Sequence, residues 1–274
     1  MASMTNKRAR LMLGCGGAAL ALSLAISAET AQAQAFQGTE SVVQGNAIRT
    51  VTGTNTETIT VDTPTTVIDW QPVDGVDFLP TGAVVTFQNN GSDSPGADFA
   101  VLNRILPTAL GGVVVLDGTV VSRIVDFQTG SEVAGGTVAF YSPTGILVGG
   151  NASFDVGNLI LTTLEPDLAS FDAFTTAGGT LQLNGGASPT ARIQIDPGAQ
   201  ITASAENSYF AAIAADVQML GTSSVNGSQA YVAGEVVNVT FSNGLFDIEV
   251  PIGAALGGQV MELNGNVGGP SSTG

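Results

Sequence analysis

The chain has 274 residues, 44% hydrophobic, 11% charged and 6% aromatic, and its 7 basic against 23 acidic residues give a formal charge of −16. It contains no histidine, which excludes Ser-His-Asp catalysis, histidine metal sites and histidine pH switching. The acidity argues against nucleic-acid binding, which needs Lys and Arg to displace counterions from phosphate.

Residues 1–33 carry the pattern of an export signal. Lys7, Arg8 and Arg10 form a basic start, Leu11 to Ser27 is an apolar run, and Ala31-Gln32-Ala33 offers a small-residue cleavage site, with Ala33-Gln34-Ala35 as the near alternative. Glycines interrupt the run and the cleavage pattern follows it, which favours a signal peptide over a membrane anchor. Cys15, the only cysteine, precedes most of the apolar run and reads as ordinary signal content rather than a lipidation site. Loss of Lys7, Arg8, Arg10 and Glu29 leaves Arg49, Arg104, Arg123 and Arg192 against 22 acidic residues, a charge of −18 with no cysteine. No disulfide is then available, which suits a chain that crosses a second membrane unfolded.

Beyond the leader the texture is all-β. Val and Thr supply 29 positions each, and such β-branched residues favour pleated surfaces over helices. Short β-branched runs alternate with Gly/Asn/Asp/Pro/Ser turns, and no apolar run reaches the length of a membrane span. In chain order the runs predict strands at Thr56–Val61, Thr65–Trp70, Gly82–Gln88, Gly112–Leu116, Thr119–Val125 and Thr137–Tyr141. Others follow at Leu159–Thr163, Thr180–Leu183, Ala191–Ile195, Gln229–Ala233, Glu235–Phe241 and Phe246–Ile252. Asn90-Gly91, Asn184-Gly185 and Asn226-Gly227 carry the hairpin signal. A sandwich and a solenoid both fit this texture. A core of Val, Ile, Leu and Ala with one Trp and three Tyr, together with Asn-, Ser- and Gly-rich corners, favours the solenoid. About 240 residues at roughly 20–25 per coil allow about ten coils. The stretch Gly253–Gly274, glycine-rich and without a terminal cap, reads as a linker or frayed end, or as the start of something longer.

One stretch carries a family resemblance. Val138 to Thr163 contains the turn Ser142-Pro143-Thr144-Gly145-Ile146, then Phe154-Asp155-Val156-Gly157-Asn158-Leu159 and Thr162-Thr163. Earlier matches are Ile68-Asp69-Trp70 and Leu102-Asn103-Arg104-Ile105. Later ones are Gly198-Ala199-Gln200-Ile201, Asn207-Ser208-Tyr209, Asn226 to Ala233, and Asn243-Gly244-Leu245-Phe246-Asp247-Ile248. In this order they resemble the filamentous haemagglutinin N-terminal domain, the secretion domain of two-partner-secretion exoproteins. Ser142 and Thr144 stand where that family has asparagines. Pro143 still presets φ and Gly145 still permits positive φ, so the turn is expected to form.

The resemblance implies a single-stranded right-handed parallel β-helix with an N-terminal cap over residues 36–255, following the 1–33 signal peptide and followed by the 256–274 tail. It implies a secreted or surface protein of a Gram-negative bacterium, an adhesin exported through the periplasm. The implied partner is an outer-membrane β-barrel transporter with periplasmic domains. Host-cell or glycan receptors stay open as further partners, and a self-standing surface adhesin or matrix protein is the alternative. Asn103, Arg104, Ser142, Pro143, Thr144, Gly145 and Ile146 are the family-motif and transporter-recognition candidates.

The remaining polar residues read as structural. Arg104 is expected in an ion pair, because only four cations face the acidic residues of the processed chain, and Trp70 as a core or cap anchor. Asp69, Asp74 and Asp77 cluster, but their spacing matches no calcium loop. Asp93, Asp117 and Asp196 read as turn residues. A β-helix polysaccharide lyase or glycoside hydrolase would need paired carboxylates, or calcium with a basic catalyst, and only Arg123, Arg192 or a carboxylate is available to serve. No such constellation is visible, so no catalytic residue, metal or cofactor is assigned.

Overall fold

The computed structural model describes residues 34–90, 98–108, 112–174, 179–185, 191–242, 245–251 and 261–270. The expected leader with Cys15, and Gly91, Asp93, Asn243, Gly244 and Ile252, lie outside the described residues. Among those described, the chain is almost entirely β, with one helix, Leu168–Phe174. Among the described residues, no helix is long and apolar enough to cross a membrane.

Three parallel ladders organise the strands. The first joins Thr56–Val61, Val84–Asn89, Thr119–Asp126 and Ser153–Asp155, then residues 200–203, 222–225 and Asn266–Gly268. The second joins Thr65–Pro72, Ala100–Ile105, Thr137–Tyr141 and Asn158–Thr162, then residues 208–214 and 227–233. The third joins Val114–Leu116, Ile146–Val148, Arg192–Ile195, Asp216–Met219 and Met261–Leu263. From Val84 onward the chain visits the ladders in a repeating order, first, second, third, which is a β-helix-like recurrence. Gln200–Ala214 and Thr222–Ala233 each run through two ladders, so these join into one 14-stranded sheet.

Alternation along each strand fixes what lies inside. Phe87, Val101, Leu116, Val120, Phe140, Ile146, Phe154, Leu161, Ile193 and Met219 belong to one buried cluster enclosed by the ladders. The opposite face of the second ladder is also buried. Val67, Leu102, Ala139, Tyr141, Ile160, Tyr209 and Ile213 form a second cluster with Phe171, Phe174, Val237, Val239 and Phe241. Its cover is an antiparallel sheet in the order Glu165–Pro166, Thr180–Asn184, Val237–Ser242, Leu245–Glu249, with the short helix beside it. Asp167 starts that helix by accepting from the Ser170 N–H (2.8 Å).

At the N-terminal end Gly38–Gln44 pairs antiparallel with Thr65–Pro72, and Ala47–Gly53 with Thr56–Val61. The turn of the latter hairpin uses Asn55 at φ 55°. Phe36 is fully buried and stacks on Phe78 at 4.6 Å, with Trp70 edge-on at 5.0 Å. The interior is therefore more aromatic than the aliphatic core expected from one Trp and three Tyr.

Several expectations need correction. About ten coils are too many: among the described residues the third ladder has five strands, because the N-terminal antiparallel strands and the outer antiparallel sheet take up much of the remaining length. Asn226-Gly227 is no hairpin. It lies inside Thr222–Ala233, at the corner between two ladders. Asn184-Gly185 ends a strand whose antiparallel partners are Glu165–Pro166 and Val237–Ser242, so it joins no hairpin to the following strand either. Within the expected linker, Met261–Leu263 and Asn266–Gly268 add one strand each to the third and first ladders. Met261, Leu263 and Val267 supply the alternation that glycine-rich flanks concealed.

A partly desolvated carboxylate at one corner gives a pH test. Burial raises the pKa of Asp98, opposed by N–H donors from Phe99 (2.9 Å) and Gly136 (3.0 Å) on one oxygen. A raised folded-state value means the stability contribution is present below the unfolded pKa and fades as pH climbs through the folded one. Asp98→Asn keeps an acceptor for both donors. Its stability relative to the parent is expected to improve from pH 4 to pH 7, read by urea denaturation at both. A pH-independent difference would refute this.

Candidate functional site

The motif residues meet on the second ladder. Ile68-Asp69-Trp70 and Asn103-Arg104-Ile105 are far apart in sequence but pair in parallel register, Asp69 beside Arg104 and Trp70 beside Ile105. Successive side chains point to opposite faces, so the pairing produces two contacts. On the outer face Arg104 Nε lies 3.3 Å from Asp69 Oδ1. On the inner face the Trp70 indole N–H donates to Asn103 Oδ1 (3.0 Å), while Asn103 Nδ2 donates to the Ala139 carbonyl (3.2 Å). Asn103 therefore ties three consecutive strands of the ladder, and it is completely buried.

Register then places Tyr141 beside Arg104. Burial pushes the Tyr141 hydroxyl pKa up to about 12, with Glu165 adding to the rise and Arg104 opposing it. A shallow cleft of about 340 Å³ opens here, lined by Arg104, Glu165, Asp167 and Asn184 among others. The Arg104–Asp69 pair is partly exposed, and such pairs contribute about 0–1 kcal/mol.

The chain leaves Tyr141 through Ser142-Pro143-Thr144-Gly145 into Ile146–Val148 of the third ladder. Ser142 is buried, and its Oγ lies 3.1 Å from Thr144 Oγ1 and accepts from the Thr144 N–H (3.4 Å). The serine hydroxyl thus bonds within its own turn, as Ser, Thr, Asn and Asp side chains do at such corners. Thr144 Oγ1 donates to the Gly112 carbonyl of the preceding corner (2.9 Å), and Gly145 N–H to Ser142 O (3.4 Å). Gly145 sits at φ 112°, a region L side chains avoid, and a Cβ there would approach the Arg192 carbonyl at 3.1 Å. Ile146 points into the enclosed cluster between Val114 and Ile193.

Of the other residues singled out, Trp70 is a buried anchor. Asp74 accepts from the Thr108 hydroxyl (2.9 Å), and Asp117 holds Asn151 through backbone and side chain at 2.9 Å each as well as the Thr81 hydroxyl. Asp196 accepts from Gln194 (2.7 Å). All four arginines among the described residues engage carboxylates: Arg49 with Glu40 and Glu57, Arg104 with Asp69, Arg123 with Asp155, and Arg192 with Asp216. Sequence reasoning missed the Arg49–Glu57 pair. Its signal was present in Glu57-Thr58-Ile59-Thr60-Val61, where the glutamate shares the inward phase with Ile59 and Val61.

Neither a protein-family model nor a curated protein matches the sequence. Among solved structures the chain is similar to the HMW1 secretion domain from Haemophilus influenzae, with a TM-score of 0.56 and 19% identity over 80% of this chain. The match takes in 49% of that structure, so the chain spans about half its length. At this identity the likeness is one of fold.

Proposed function

We propose that this chain is the secretion domain of a two-partner-secretion exoprotein, recognised by an outer-membrane β-barrel transporter and exported through the periplasm as a surface or secreted adhesin. The observation that carries this reading is the likeness in fold to the HMW1 secretion domain, with which the motif resemblance agrees. In this reading residues 1–33 are the removed leader. The domain from residue 36 winds as a right-handed single-stranded parallel β-helix, which the repeating ladder order supports. No nucleotide is needed, because burial of successive strands outside the membrane favours outward movement.

Burial of Asn103 and Ile146 and the internal bonding of Ser142 and Thr144 favour a role for these motifs in winding the chain, ahead of direct contact with the transporter in the folded state. A lyase reading has less support. Arg123, which it would use, already donates to the carbonyls of Ser122 (2.9 Å) and Asp155 (3.0 Å) and pairs with the Asp155 carboxylate.

The test is export of the full chain from a Gram-negative host with and without a co-expressed two-partner-secretion transporter. Surface protein is expected only with the transporter, and periplasmic accumulation without it. Gly145→Pro fixes φ near −65° and removes the N–H given to Ser142, so it is expected to cut export about tenfold or more through loss of the corner. Equal export with and without the transporter would sink the reading.

A further inference from the structure

Three Asn-Gly pairs lie wholly within the described residues: Asn184-Gly185, Asn226-Gly227 and Asn264-Gly265. Glycine has no Cβ to shield its own amide nitrogen, and that nitrogen attacks the preceding asparagine amide when both groups are free to meet. All three asparagines are exposed, so access of water does not separate them. Bonding does.

At the last pair both partners are held. Asn264 N–H and Gly265 N–H donate to the Met219 carbonyl (3.0 and 2.8 Å), and Asn264 Nδ2 donates to Glu262 Oε1 (2.6 Å). Asn226 Nδ2 donates to the Ser204 carbonyl (3.3 Å). Gly227 lies in mid-strand beside Ser208, so close that a Cβ would sit 2.0 Å from the Ser208 carbonyl oxygen. That backbone has no room to swing. Asn184 differs. It is the last residue of Thr180–Asn184, and pairing with Val237–Ser242 ends one position before it, at Leu183. No hydrogen bond among the described residues uses the Asn184 amide group or the Gly185 N–H. Asn184 stands directly opposite Glu165 on the neighbouring strand. Both line the cleft of about 340 Å³ with Asp167 and Arg104, and Arg104 is already paired with Asp69.

We propose that Asn184 is a self-modification site, which deamidates in the folded chain ahead of the other two asparagines. The Gly185 nitrogen gives its proton to water and bonds to Asn184 Cγ, while the Cγ–Nδ2 bond breaks and ammonia leaves, closing a succinimide ring. Water then opens the ring at Cγ to give aspartate, or at the main-chain carbonyl to give isoaspartate. Either product sets a carboxylate beside Glu165, and like charges directly opposite destabilise a strand pair. Glu165–Pro166 is the edge of its sheet, so the modification loosens that edge.

The test ages the purified full chain in heavy-oxygen water, folded and in urea, and maps its peptides by mass spectrometry. In the folded chain Asn184 is expected to react about tenfold faster than Asn226 or Asn264, the effect of one hydrogen bond that must first open. Its products carry one heavy oxygen, and isoaspartate among them marks the ring. In urea the three rates are expected to agree within about twofold, since only the fold separates them. Gly185→Ala is expected to slow the reaction at Asn184 and leave Asn226 unchanged. Asn184→Gln, one methylene too long for the ring, is expected to abolish it and replaces the alanine variant if that one unfolds. Asn184→Asp carries the product's charge. It is expected to speed exchange of the Asp167 N–H, which donates to the Gln182 carbonyl (2.9 Å), about two- to fivefold. Equal rates at the three asparagines in the folded chain, a slower rate at Asn184, or aspartate as its sole product would overturn the proposal. Unchanged Asp167 exchange in Asn184→Asp would overturn the loosening of the edge.

Discussion

Exchanging Glu57 for glutamine is expected to lower the unfolding free energy by about 3–5 kcal/mol, the range for removing one partner of a buried ion pair. The Glu57 side chain is fully buried and that of Arg49 is 6% exposed. One carboxylate oxygen accepts from Ala35 N–H (3.0 Å) and from Arg49 Nε (3.1 Å) and Nη2 (2.8 Å), and the other from Phe36 N–H (3.3 Å). Glutamine supplies one acceptor and turns the other position into a donor facing donors. Arg49 then keeps Glu40, the Phe36 and Gly38 carbonyls and the Trp70 face 5.1 Å away, but loses its buried counter-charge. Arg49→Met combined with Glu57→Gln removes both charges. The double variant is expected to lose at least about 1 kcal/mol less than the two single losses added together. Urea denaturation of the four proteins measures this, and strictly additive losses would show that the pair is not coupled.

How far the sequence revealed this arrangement depended on segment length. Thr56–Val61 and Thr137–Tyr141 are long enough for apolar alternation or β-branched content to stand out, and both match their predicted bounds. Ile146–Val148 and Ser153–Asp155 have three residues each, too few for any period, and were seen only as part of a family motif. The outer antiparallel sheet was hidden for another reason. Thr180–Asn184 pairs with Val237–Ser242 across two intervening passes of the ladders, and nothing local encodes that choice of partner. At the candidate site the shortage of cations was enough to expect an ion pair for Arg104. Its partner Asp69 follows only from strand register. The burial of Asn103 could not be read locally, since its position on the inward face depends on the same register that gives it Trp70.

Phe36→Ala is expected to cost about 3–5 kcal/mol, the range for emptying a buried aromatic site, although the residue lies near the start of the described residues. The reason is that Phe36 is an end plug. Its ring touches Trp70, Phe78, Phe87 and Phe140 at centroid distances of 5.0, 4.6, 6.2 and 6.2 Å. These four come from separate strands and loops, and alanine would leave them facing a void. Ring contacts of this kind add about 0.5–1.5 kcal/mol each beyond area burial, which puts the loss toward the upper end. Phe127, 52% exposed on its hairpin, provides the comparison: Phe127→Ala is expected to change stability by about 0.5 kcal/mol or less. Thermal and urea unfolding of both variants decide the matter, and equal small effects would mean that the N-terminal segment only rests on the ladders without closing them.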